Sequence, residues 1–153
     1  MSNVTTNFLP ADKNWDMKTF SFKVSTAMVE GAAVGIEIVS NDVTGDLTLM
    51  GVENAAGADF VGILAGAIAA TDSDYATAGK RRSVWVPRNK KALAFFTVGE
   101  GTFTTDDIGK TVQFGSTSID LDVDTKGKGA RIEGYISSSR GKCSFVLPNT
   151  ETA

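Results

Sequence analysis

Apolar side chains recur at every second position through much of this chain, the spacing of a β-strand with one buried face. Phe20, Phe22 and Val24 alternate with Ser21 and Lys23, and Val34, Ile36 and Ile38 alternate around Gly35 and Glu37. Residues 47–50 resume an extended run. Val84, Trp85 and Val86 predict a short strand stopped by Pro87, and residues 92–98 a longer one. Residues 112–114, 119–124, 132–136 and 143–147 predict the rest. Over 119–124 the alternation is strict, with Ile119, Leu121 and Val123 inward and Asp120, Asp122 and Asp124 outward. Small and polar clusters at 41–45, 54–59, 99–101 and 126–129 read as the turns and loops between runs.

Two stretches depart from this pattern. Residues 60–70 are apolar on all sides. Their alanines favour helix, whereas Gly62 and Gly66 disfavour it. The reading adopted is a buried strand over 60–64 that continues irregularly. Residues 1–18 have no period and contain Pro10, so they predict an extended N-terminal arm ahead of one β-rich domain over 19–153. Phe8, Leu9 and Trp15 on that arm need burial, either on their own domain or on a partner. Little secondary structure of its own predicts an arm loosely held in the free protein. Many short strands with no clear helix predict a mostly β fold, a small β-barrel or tulip-like domain.

Composition narrows the chemistry. The chain has 153 residues, enough for one domain with an ordinary core. It contains no histidine, which removes His-based triads, His general bases and most zinc sites. Its one cysteine, Cys143, lies in an apolar run and reads as buried and inert. Gly109, Lys110 and Thr111 resemble the end of a phosphate-binding loop, but Thr104 stands where its first glycine belongs, and a β-like run follows instead of a helix. Asp120, Asp122 and Asp124 would sit about 7 Å apart along a straight strand, too far to converge on calcium. They read as a solvated face, or else as a metal or basic-partner contact. The chain is therefore expected to be no enzyme and to need no metal or cofactor.

Charge is uneven. Residues 1–79 carry 3 basic and 10 acidic side chains, and residues 80–153 carry 12 and 8. The net charge of −3 argues against a nucleic-acid binder. No apolar run approaches the roughly 18 residues of a membrane helix. Six basic residues cluster at Lys80, Arg81, Arg82, Arg88, Lys90 and Lys91, around Trp85. They read as charge protecting an exposed strand edge, as a protein interface, or as a single-stranded nucleic-acid ribbon.

Residues 57–65, Gly-Ala-Asp-Phe-Val-Gly-Ile-Leu-Ala, resemble a stretch of the lambda-type head decoration proteins of tailed phages, and Gly101, Thr102 and Phe103 are similar to a later motif there. The polar arm before a compact β domain is similar too. The resemblance covers about a third of the chain, and residues 109–147 have no counterpart in it. It implies a capsid cement protein on the virion exterior, made in the host cytoplasm and bound to the major capsid protein, often as a homotrimer. Phe8, Leu9, Pro10 and Trp15 would then be capsid contacts and the basic cluster an interface. The alternatives are another self-assembling virion component, such as a tail-tube or head-fibre subunit, and a non-catalytic ligand-binding β module.

Overall fold

The computed structural model describes residues 7–36, 46–50, 59–115 and 118–147. The turn expected at 41–45 and most of the loop expected at 54–59 lie outside them. Eleven strands are present: β1 (Leu9–Pro10), β2 (Trp15–Ser21), β3 (Ala33–Ile36), β4 (Leu47–Leu49), β5 (Asp59–Leu64), β6 (Arg81–Pro87), β7 (Ala94–Glu100), β8 (Thr111–Phe114), β9 (Leu121–Lys126), β10 (Ala130–Ser137) and β11 (Arg140–Phe145). The fold is mostly β, as the alternation predicts. A single 3-10 turn at Thr105–Asp107 is the one helical element among the described residues, and none of them forms a helix long and apolar enough to cross a membrane.

Five strands form a small barrel. They run β7, β11, β10, β8, β9, and β9 returns to β7 through a parallel pairing, Val98 with Leu121. β1 occupies the earlier half of the same β7 edge, Leu9 opposite Phe95. The other five strands make a second sheet in the order β2-β6-β5-β3-β4.

β5 shows why residues 60–64 read as apolar all round. It is a central strand, between β3 and β6, and each of its faces packs into a separate hydrophobic cluster. Phe60 and Ile63 belong to the core shared with the barrel, while Val61 and Leu64 pack in a second cluster with Phe22, Val34, Leu47 and Val84. Two residues three apart share a face because the β3–β5 pairing slips at Val34 and Gly35. That irregularity erases the period-2 signal. Gly62 is needed where β6 comes closest, because a Cβ there would overlap the Trp85 carbonyl oxygen and the Val84 side chain.

The arm is corrected by the structure. β2 runs straight through the expected boundary at 18 and pairs with β6 along its whole length, from Trp15 opposite Pro87 to Ser21 opposite Arg81. Phe8 is 1% exposed and Trp15 6%. Phe8 lies edge-on to Phe114 and Phe145, with centroids 5.8 and 5.1 Å away. Trp15 meets Phe145 edge-on at 6.1 Å and donates its indole N–H to the Leu93 carbonyl at 2.9 Å. Leu9 and Pro10 are half-buried on β1. From Asn7 onward this segment is part of the core, because its aromatic rings fill space between the two sheets. Gly31, at φ +88°, lets the chain cross there: a Cβ would overlap Asn7.

Two further expectations change. The alternation through Phe20 and Phe22 stops before Val24, which is 40% exposed in the turn that Ser25 closes at φ +52°. The strict alternation over 119–124 also fails. β9 begins at Leu121, its pairing with β8 slips between Val112 and Gln113, and Asp122 is buried beside Leu121 and Val123.

Two stability measurements check this packing. Phe8→Ala is expected to cost about 3–5 kcal/mol in urea unfolding, the range for emptying a buried aromatic site. A loosely held arm would give no change. Gly62→Ala is expected to cost about 1–3 kcal/mol as β6 is forced away.

Candidate interaction surfaces

The basic cluster does not form one surface. β6 spans about 20 Å by strand rise and lies inside its sheet, so its charges protect no edge. Lys80 is only 4% exposed. Its Nζ donates to the carbonyls of Lys23 at 2.7 Å and Tyr75 at 3.0 Å, tying two loops together. Arg82 grips Asp74 with both Nη atoms, at 2.8 and 2.7 Å, and reaches Asp72 at 3.2 Å. That pairing holds the Asp74 carboxyl below its ordinary range and raises the guanidinium further still. Arg81 donates to the Thr19 carbonyl at 3.0 Å, and Arg88 pairs with Asp16 at 2.8 Å on the surface. Trp85 packs against the core from the middle of β6 and is no stacking platform. Lys90 and Lys91 alone of the six stand exposed with neither an ion pair nor a side-chain hydrogen bond to a described residue.

Those two lysines border a groove that the sequence did not reveal. It holds about 470 Å³ on the outside of the barrel. Lys90, Lys91 and Leu93 come from the β6–β7 connection, Thr111 from β8, Arg131 and Glu133 from β10, and Ser144, Phe145 and Val146 from the end of β11. The Ser144 hydroxyl donates to Glu133 Oε2 at 2.6 Å. A second groove of about 480 Å³ shares Thr111 with it and adds Lys110, Lys126 and Asp124. Lys110 is engaged by Asp107 at 2.9 Å. Asp107 also accepts the Thr104 N–H at 3.0 Å, and these bonds hold its carboxyl low. β8 starts at Thr111, so a strand and not a helix follows Gly109, Lys110 and Thr111, and the helix amides that a phosphate loop uses are not formed there.

A third groove, about 500 Å³, is lined among the described residues only by apolar side chains. Its walls are residues 27–29 and 67–69, which bridge through reciprocal bonds between Met28 and Ile68 at 3.0 and 2.8 Å. Leu49 and Ile119 complete the lining. Met28 and Ile68 are buried, whereas Val29 is 51% exposed. Ile119, expected to face inward, lines this groove at the surface.

The three aspartates do not form a solvated row. Asp122 Oδ1 accepts the Asp124 N–H at 3.1 Å, and Asp124 Oδ2 accepts that of Thr102 at 3.2 Å. Asp120 packs its carboxylate against the backbone of Gly99 and Gly115. Burial, and then the nearby Glu100 charge, push its pKa up. Among the described residues no three His, Cys, Asp or Glu side chains gather as a metal site. Cys143 is fully buried, and burial pushes its thiol well above the ordinary range.

No family model matches the chain, and comparison with curated proteins and with solved structures likewise yields no match.

The raised carboxyl of Asp120 has a thermodynamic consequence. Its folded pKa exceeds the unfolded one, so the ionised side chain costs stability at neutral pH, and the cost is relieved as pH falls through the folded value. Asp120→Asn, equal in shape and uncharged, is expected to melt above wild type at pH 7. The gap should close toward the ordinary aspartate value of about 3.9. A pH series of thermal melts checks this.

Proposed function

We propose that this chain is a structural virion protein that binds the outer surface of a phage capsid as a decoration or cement protein. The observation that carries the reading is the apolar groove between residues 27–29 and 67–69. The described lining of this groove offers no polar side chain to orient or activate a small polar substrate. What it offers is area, which a protein side chain can fill. The resemblance to decoration proteins adds to this. Its Phe60–Leu64 part is β5, the strand whose two faces serve both cores, and Phe103 of its second motif is buried against Phe96. In this reading the partner is the major capsid protein, and copies of the chain assemble as trimers on the capsid exterior. The proposal includes no nucleic-acid or membrane partner, no cofactor and no reaction. Contact falls to the surface grooves, since Phe8 and Trp15 are committed to the chain's own core.

Co-sedimentation with phage capsids assembled from major capsid protein alone tests the proposal. Wild type should pellet with capsids and saturate. Val29→Asp combined with Ile119→Asp should weaken binding by at least about tenfold, as loss of a central apolar contact does. Wild type that stays in the supernatant overturns the reading. Regular tubes or rings of the chain alone would assign it instead to a tail tube.

A further inference from the structure

We infer that the basic groove on the outside of the barrel is a docking site for an extended, acidic polypeptide segment. This deepens the capsid reading and rests on it for the partner's identity, though not for the partner's chemistry. Lys90, Lys91 and Arg131 project around one opening from two separate parts of the chain, and all three are exposed. None makes an ion pair with a described residue, unlike Arg82, Arg88 and Lys110, which are paired. Three like charges around one concavity raise the local potential and favour a negatively charged occupant. A second groove shares Thr111 with this one and adds Lys126 beside Asp124, so the occupant's acidic groups are placed at Lys90, Lys91 and Arg131.

Polypeptide is favoured over nucleic acid by two features of the same groove. Glu133 stands in its wall, with Oε2 taken by the Ser144 hydroxyl. A phosphate backbone has no donor to offer that carboxylate, whereas Oε1 can accept a peptide N–H. The groove's one aromatic residue, Phe145, is 5% exposed and stacked at 4.3 Å on Phe60, so no ring is free to receive a base. Acidic side chains on the cations and a main-chain N–H on Glu133 describe an acidic strand or loop. Leu93 and Val146, half-buried at the groove, add apolar contact.

The test uses the full chain and a fluorescein-labelled octapeptide of alternating glutamate and leucine, followed by anisotropy. Wild type should bind it saturably, and binding should weaken as salt is raised. The variant K90Q/K91Q/R131Q should lose about tenfold or more in affinity while keeping its melting temperature, since the three side chains are exposed. The equal-charge control K13Q/K18Q/K23Q should bind as wild type does. Equal binding by the groove variant overturns the proposal, as does tighter binding of a labelled oligothymidine than of the peptide. The capsid assay separates the two readings. Capsid binding that survives K90Q/K91Q/R131Q sinks the groove and keeps the capsid reading. Peptide binding lost in that variant, without any capsid binding, keeps the groove and sinks the capsid reading.

Discussion

The fold turns on one aromatic contact set centred on Phe145. Its ring stacks on Phe60 of the second sheet at 4.3 Å, meets Phe8 and Trp15 of the N-terminal segment edge-on, and approaches Phe114 of the barrel at 6.1 Å. Four parts of the chain, distant in sequence, thus share one ring. Aromatic pairs contribute beyond the area they bury, and here they are also what joins the barrel to the second sheet. Take the set away and the two sheets lose their common core. The second sheet would keep its outer cluster around Phe22, Leu47 and Val84. The barrel would keep Phe96, Leu121 and Ile132 inside.

That junction decides what the N-terminal segment can do. A polar stretch with scattered aromatics is free to dock on a partner only if its own domain offers no site for the rings. Here β7 presents an open half-edge to Leu9 and Pro10, and the gap between sheets accepts Phe8 and Trp15. Burial of these rings, with the Trp15 N–H satisfied, outweighs the ordering of a short segment. Any partner would then meet only the surfaces left over once the core is complete, the grooves among them.

Electrostatics follows the same economy. Lys80 and Arg82 fasten the loop over 72–80 to the second sheet through short bonds, two of them to backbone carbonyls. Their charge serves architecture and is spent before any partner arrives. Lys90, Lys91 and Arg131 are left outward, and because the barrel brings β10 beside the β6–β7 connection they act together. The basic groove and the apolar groove offer two different chemistries to a partner surface, charge at one and area at the other.

The sequence by itself determined most of the local structure. The sequence pattern placed β3 to β11 within a few residues but missed β1 and the start of β2, and the absence of histidine removed whole classes of catalytic chemistry. Residues 60–64 were legible as strand because Gly62 and Gly66 disfavour the helix that an all-apolar run equally allows. The bulge that lets Phe60 and Ile63 share a face was not legible, because it depends on how β3 pairs. The candidate site was legible only as Lys90 and Lys91. Arg131, Glu133 and Ser144 carry no signal in their neighbourhoods, and six nearby basic residues in the chain proved to be several unrelated groups in space. Only the tertiary structure decided which aromatic meets which, as when Trp15 bonds to a carbonyl 78 residues away. Periodicity reports what each short segment can bury. What it buries against is set by contacts between distant segments, and those are settled only when the whole core closes.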